Sequence, residues 1–275
     1  MIFNSPERIA ALTPQNPYER FADGRPRVPD DIVERMKYVT NDEAWGVLER
    51  GHEYHFNFEG GWYNLHPDRV LVGRAVTARY VPIRPDLNDV VQGIGASEGR
   101  SGGQNTWIID QLQTGDVLVV DVFGKIEDGT FIGDNLGTTI QSRAKTGLVV
   151  DGGIRDLERV YELPDFNVFC RGVHPSAIWE VSLVEVNGPI RIGSATVLPG
   201  DVVLGGREGV SFIPPHLAEE VVVRSEDVRQ RDVFGKQRLA EGAYSSGQID
   251  VSIWEGAIEQ DYRAWAKALG IEVKG

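Results

Sequence analysis

Three side chains within one short stretch have the types and the spacing to do chemistry. Asp134 is followed, after twenty intervening residues, by the adjacent pair Arg155 and Asp156. A helix plus one strand can fold that span back on itself, so that its two ends meet at one site. A guanidinium presents a planar fork that grips a carboxylate in two places, and carboxylate oxygens are hard donors suited to a divalent cation. Side by side, Arg155 and Asp156 would hold a metal-bound oxyacid, with Asp134 facing them. The same residues also fit a plainer role, Asp134 as a helix cap and Arg155-Asp156 as a pair at a helix start.

The elements that must position these groups are legible around them. Apolar residues at 136, 140 and 144 recur at helical spacing after Gly133 and Asp134, so a helix begins there with Asp134 or Asn135 as its N-cap. The unpaired N–H groups of residues 133–136, including Gly133, Asn135 and Leu136, form an anion site at the positive end of that helix. Leu148-Val149-Val150 reads as a buried parallel strand ending in a flexible turn at Asp151-Gly152-Gly153. Ligands in open α/β sheets gather at such ends. Further strands are expected at 70–83, bordering the central sheet, at 117–122 and at 168–170, and short βα units imply a parallel or mixed sheet. Arg171 and His174 follow the strand at 168–170; His174 is a candidate substrate contact or a hydrogen-bonded structural imidazole. Residues 180–213 read as a small antiparallel layer, while helices are expected from Asp30, from Thr40, at 107–112, at 216–240 and at 257–269.

Composition removes several function classes. The formal net charge of −13 and pI near 4.9 argue against direct nucleic-acid binding. No stretch approaches the length of a membrane span, and the first twenty residues carry neither a basic nor an apolar leader region, so a cytoplasmic protein without membrane association is expected. The single cysteine, Cys170, lies in an apolar run and reads as a buried inert thiol. His52 and His55 lack a further ligand nearby in sequence for zinc, and surface histidines are expected. GIGASEGRSGG at 93–103 has GxG spacing but lacks a strand immediately before it and an acidic ribose partner after it, so it is expected to be a mobile loop at a pocket entry. The aromatic segment 54–63 has the composition to pack an N-terminal arm or a partner subunit. Lys145 is the only lysine in the motif and lies mid-helix, which gives no support to a Schiff-base mechanism.

The stretch FIGDNLGTTIQSRAKTGLVVDGGIRD (131–156) resembles the signature of the family named after regulator of ribonuclease activity A. VLVGRAVTARYVPI, TGDVLVVDVFG, VFCRGVHPSA and VLPGDVVLGGREGVSFIP extend the likeness over roughly residues 30–240. The resemblance implies an RraA-like, phosphohistidine-domain-like layered α/β/β/α sandwich with a central mixed sheet. It covers the α/β domain at 30–240, within which 84–113 looks like an insertion; the Pro- and Arg-rich residues 1–29 read as an N-terminal arm and 241–275, with its amphipathic final helix, as a C-terminal helical extension. The family includes the class II 4-hydroxy-4-methyl-2-oxoglutarate/4-carboxy-4-hydroxy-2-oxoadipate aldolases. The implied reaction is a metal-dependent retro-aldol cleavage of a 4-hydroxy-2-oxo acid to pyruvate and a second carbonyl product, with oxaloacetate decarboxylation beside it. Asp156 would hold Mg²⁺ or Mn²⁺, Asp134 would reach it through water, and Arg155 would pair with the oxyacid. A homotrimer or homohexamer is implied, with Glu226 or Asp232 lent by a neighbouring subunit. Two other functions stay open: a lyase or hydratase acting on a sugar-derived oxo acid, and a non-catalytic ribonuclease-binding regulator. Gly205-Gly206, where resembling sequences commonly carry an acid, and the insertion bear on the substrate more than on the fold.

Overall fold

The apolar runs form the middle of one large sheet. The computed structural model describes residues 3–271 and 273. Its strands are β1 (Phe58–Glu59), β2 (Tyr63–Asn64), β3 (Leu71–Pro82), β4 (Asp116–Thr130), β5 (Gly147–Ile154), β6 (Asn167–Val173), β7 (Val181–Val186), β8 (Ile190–Ile192), β9 (Ala195–Val197), β10 (Val202–Gly205) and β11 (Val210–Ile213). The helices are α1 (Pro6–Leu12), α2 (Asp30–Met36), α3 (Asn41–His52), α4 (Pro85–Ser97), α5 (Gln104–Ile109), α6 (Asp134–Ala144), α7 (Leu157–Tyr161), α8 (Ala218–Ala240), α9 (Ser246–Ile249) and α10 (Gly256–Ala268). Nine strands make a mixed sheet in the order β1-β11-β10-β3-β4-β5-β6-β2, with β7 paired to β3. Within it β3, β4, β5 and β6 are parallel neighbours.

Strand periodicity explains the layers. Leu118, Val120 and Val122 of β4, with Leu148 and Val150 of β5, join a core that also holds Trp107, Ile108 and Ile140 from α5 and α6. The alternate residues Val117, Val119 and Val149 point to the opposite face, where Ile190, Ile192, Ala195 and Val197 of the β8–β9 ribbon cover them. Successive side chains in a strand face opposite ways, so near-continuous apolar runs are what a sheet covered on both faces requires. A third cluster packs α2, α3 and α8 over Val72, Val202, Leu204 and Ile213. The sequence-based placement of residues 70–83 at the border of the sheet is corrected: β3 lies inside it, between β10 and β4, because its first eight residues are all buried. Likewise β7, β10 and β11 join the main sheet, and among the described residues only β8–β9 forms a separate antiparallel ribbon.

Several local signals resolve into specific contacts. Thr40 and Glu43 form a capping box at the start of α3. Arg25 anchors the N-terminal segment in the core through Asp116, at 2.8 and 3.3 Å. Residues 93–97 of the expected loop are the last turns of α4. A β-carbon on Gly95 would stand 2.3 Å from the Trp107 ring, so that glycine serves close packing of α4 on α5. Among the described residues no helix is long and apolar enough to cross a membrane.

The turn expected at Asp151-Gly152-Gly153 is also corrected, since all three lie buried inside β5. The pairing of β4 with β5 shifts register between Asp121 and Lys125 and again before Thr130. The intervening segment crosses β5 so closely that a β-carbon on Gly152 would stand 3.1 Å from the Lys125 carbonyl oxygen, and one on Gly153 2.8 Å from that of Ile126. Glycine is required there by approach of backbone, and not by a turn.

Candidate active site

The site is built where β4 hands the chain to α6 and β5 hands it to α7. Phe131 N–H donates to the Gly153 carbonyl at 2.8 Å, and Arg155 N–H donates to the Ile132 carbonyl at 3.0 Å. These two bonds bring the start of the motif against its end. A β-carbon on Gly133 would stand 2.2 Å from Asp156 Oδ2 and 3.2 Å from Arg155 Nε, so the Asp156 carboxylate occupies space that only a glycine leaves open. The N-cap of α6 is Gly133, with extended backbone and no side-chain cap, which corrects the expectation for Asp134 or Asn135. Asp134 is instead the first helical residue, and its Oδ1 accepts the Asn135 N–H at 2.8 Å. The earliest intrahelical bond runs from Gly137 N–H to the Gly133 carbonyl at 2.9 Å, which leaves the first turn's N–H groups without intrahelical partners.

Arg155 and Asp156 face each other loosely, Nε to Oδ2 being 3.7 Å, with side chains 42% and 40% exposed. Neither is saturated by the protein. Asp156 sits in the left-handed region at φ 55°, ψ 42°, and makes no side-chain cap to α7. Such a conformation is costly for a non-glycine residue and is commonly held at functional sites. His174 N–H donates to the Ile154 carbonyl at 3.1 Å, setting β6's exit beside Arg155, while its Nδ1 pairs with Ser176 Oγ at 2.9 Å. A small cavity of about 80 Å³ adjoins Arg155, lined by residues 133–136 and by Asn105 and Ile178.

Asn105 is a site residue that sequence reasoning missed. It lies in α5, and its side-chain amide donates to the Phe131 carbonyl at 2.9 Å, buttressing the β4–α6 junction. Nothing in the sequence marks it, because the contact spans two elements far apart in type. Arg171, in contrast, is not available to a ligand. Asp151 at 2.6 Å and Glu59 at 2.7 Å bind its guanidinium, which also stacks over Trp62 at 3.9 Å. Glu226 is paired in its own chain with Arg35 at 2.8 and 2.7 Å, and Asp232 with Lys236 at 3.3 Å; neither lines the cavity. β-carbons on Gly205 and Gly206 would stand 2.6 Å from Phe169 and 2.8 Å from Asn41, so a side chain at either position would have to displace those neighbours. His52 pairs with Glu220 and His55 with Glu49, at 2.9 and 3.3 Å. Burial pushes the Cys170 thiol up to about 12, in keeping with an inert sulfur.

Among the described residues no group of three or more His, Cys, Asp or Glu is arranged to hold a metal ion. The donors present are nonetheless of one chemical kind. Asp156, seated in the space above Gly133, and the partly exposed Asp134 offer hard oxygens. Magnesium binds through one or two carboxylates and keeps several waters, and this donor set fits that habit.

The RraA-like family model, described as Aldolase/RraA, matches residues 44–211, a span that contains the whole site. The chain belongs to this RraA-like family. A protein of Halalkalibacterium halodurans, provisionally named 4-hydroxy-4-methyl-2-oxoglutarate aldolase, is 30% identical over 154 residues, covering 55% of this chain and 72% of its own. The 4-hydroxy-4-methyl-2-oxoglutarate aldolase of Thermus thermophilus is 27% identical over 107 residues, 39% of this chain and 64% of its own. Among solved structures, Streptomyces coelicolor RraAS2, described as an unusual member of the RNase ES inhibitor RraA protein family, superposes with a TM-score of 0.66 at 27% identity. It covers 81% of this chain and all of that one. RraA-like relatives thus carry both aldolase and inhibitor descriptions.

Proposed function

We propose that the chain is a divalent-metal-dependent lyase that cleaves a 4-hydroxy-2-oxo acid to pyruvate and a second carbonyl compound. The observation that carries this reading is the half-exposed, unsaturated Arg155–Asp156 pair set against the open first turn of α6. Aldolase-named relatives support it. Asp156, with Asp134 through water, would hold Mg²⁺ or Mn²⁺, which when bound supplies Lewis acidity to the 2-oxo and carboxylate oxygens.

The chain's own groups then have defined tasks. The N–H groups at 133–136 and the Arg155 fork bind the substrate carboxylate and steady the negative charge that grows on the 2-oxo oxygen. Asp134 orients the water that takes the proton from the 4-hydroxyl. As that proton leaves, the C3–C4 bond breaks, C4 becomes the second carbonyl, and the electron pair passes to the pyruvate enolate, whose C3 is then protonated. The same enolate forms when oxaloacetate loses carbon dioxide, so decarboxylation is part of the reading. We further propose a trimer or a pair of trimers, in which Glu226 or Asp232 reaches a neighbour's site. An active monomer in sedimentation velocity at assay concentration would refute that arrangement.

The test is pyruvate release from 4-hydroxy-4-methyl-2-oxoglutarate and from oxaloacetate, with metal and in EDTA. Chelation should abolish both activities. Asp156→Ala should lose metal binding and turnover together, whereas Asp134→Ala should keep part of the metal affinity and lose turnover. Because Gly133 holds the cap position, Asp134→Ala should cost only about 0.3–1 kcal/mol of stability through the helix dipole. Wild-type rates in all variants, or a wild type that cleaves neither acid while inhibiting a ribonuclease, would replace the lyase by the regulator.

A further inference from the structure

A second, larger cavity adjoins the site and has a different chemistry. It measures about 290 Å³ and shares Asn105 and Ile178 with the cavity beside Arg155. Its wall is made largely by the segment that carries α4 and α5, which supplies Asn88, Gln92 and Gln104, with Trp179 and Glu180 from the β6–β7 connection. Among the described residues no lysine, arginine or histidine lines it. The nearby Lys125 is engaged by the Trp179 carbonyl at 2.9 Å.

The amides are organised. Gln104 accepts from Leu183 N–H at 2.6 Å and donates to Asn88 Oδ1 at 3.0 Å, and Ser182 Oγ donates to the same oxygen at 3.0 Å. With Asn88 Oδ1 taken twice, its two N–H groups are left to donate. Glu180 lines the same wall, and its backbone carbonyl accepts from Ile83 N–H at 2.8 Å. Trp179 lines the same cavity and is 69% exposed, while its backbone N–H donates to the Asp128 carbonyl at 2.8 Å. Beneath, the buried Tyr80 hydroxyl has no hydrogen-bond partner among the described residues.

Resting on the lyase reading above, we propose that this cavity receives the part of the substrate beyond C4, and that this part is a neutral polyhydroxylated chain. Hydroxyl groups both donate and accept, which matches a cavity lined by the Asn88, Gln92 and Gln104 amides and by Glu180, and their C–H faces stack on an exposed aromatic ring. A distal carboxylate would instead enter a cavity lined by an acid, Glu180, and by no cation among the described residues. The substrate is therefore a sugar-derived 4-hydroxy-2-oxo acid, and its second product a hydroxyaldehyde. The proximal half, a 2-oxo carboxylate, stays with Arg155 and the α6 turn.

The experiment compares kcat/KM of the metal-loaded protein for a 4,5,6-trihydroxy-2-oxo acid and for 4-hydroxy-4-methyl-2-oxoglutarate, following pyruvate in both. The trihydroxy acid should be preferred at least tenfold. Trp179→Ala and Gln92→Ala, both at exposed positions, should raise KM for it at least threefold while leaving oxaloacetate decarboxylation unchanged. Gln92→Arg should shift the preference toward the dicarboxylate by a similar factor. A wild type that prefers the dicarboxylate would overturn the inference and leave the lyase standing. So would a Trp179→Ala variant that changes oligomeric state and not KM. Cleavage of neither substrate, nor of oxaloacetate, would remove the lyase reading and the inference with it.

Discussion

Two arginine–aspartate pairs stand at opposite ends of β4. At its start, Arg25 and Asp116 meet at 2.8 Å with side chains 1% and 0% exposed, and Asp23 adds a second carboxylate to the same guanidinium at 2.7 Å. Past its other end, Arg155 and Asp156 are 3.7 Å apart and about two-fifths exposed. The first pair is used up by the fold, which it ties together across 91 positions of sequence. The second is next to its partner in sequence and ties nothing, so its hydrogen-bonding capacity is left for a ligand. Residue type and charge are the same in both, and saturation separates structure from chemistry.

Breaking the buried pair should have the largest effect. Arg25→Ala strands Asp116 in the core, and removal of one partner of a buried pair costs about 3–5 kcal/mol. Urea denaturation should show that loss, and activity should fall only as the folded fraction falls. Arg155→Ala should invert the pattern. Loss of a preorganised donor to developing negative charge costs about 3–4 kcal/mol of barrier, roughly a hundred- to thousandfold in rate. Its unfolding midpoint should stay within about 0.5 kcal/mol of wild type, as for an ordinary surface change. A large stability loss in Arg155→Ala would erase the distinction.

Asp201 sharpens the comparison, being a buried acid with no cation partner among the described residues. Burial raises its carboxyl to about 7, opposed only by a hydrogen bond from Leu198 N–H. A raised acid stabilises the fold fully below its unfolded value near 3.8, and that stability drains away as pH rises, levelling off above about 7. Asp201→Asn keeps an acceptor for Leu198 and cannot ionise. It should match wild type at pH 3 and exceed it at pH 8 by roughly 1–3 kcal/mol, since every tenfold difference in proton affinity between folded and unfolded chain is worth about 1.4 kcal/mol before the structure relaxes. Denaturation midpoints at the two pH values decide it. The smallest expected effect is that of Gly133→Ala. The added methyl displaces the Asp156 carboxylate, so turnover should drop about tenfold with about 1 kcal/mol of lost capping. Unchanged kinetics would mean that the seat of Asp156 over Gly133 is incidental.

The central strands were legible because their apolar runs are long and β-branched, and the Asp134–Arg155–Asp156 spacing was legible because one helix and one strand lie between. The same local reading misplaced the cap by one or two residues, since a glycine N-cap leaves no side-chain signature. It took Gly152-Gly153 for a turn because glycine marks both turns and close backbone approach, and only the crossing of residues 125–129 tells them apart. It put Arg171 at a strand end where ligands gather, and had no means of showing that Glu59, Trp62 and Asp151 engage it from three other strands or loops.

By itself the sequence determined which residues alternate into the two faces of the sheet, where α3 is capped, and which acid and base types the motif carries. Tertiary structure decided which charges are satisfied. Register, crossover and the approach of α5 set the surroundings of each arginine, and those depend on partners tens to more than a hundred residues away. Whether a guanidinium is spent or free is a property of its contacts, and no local pattern encodes them.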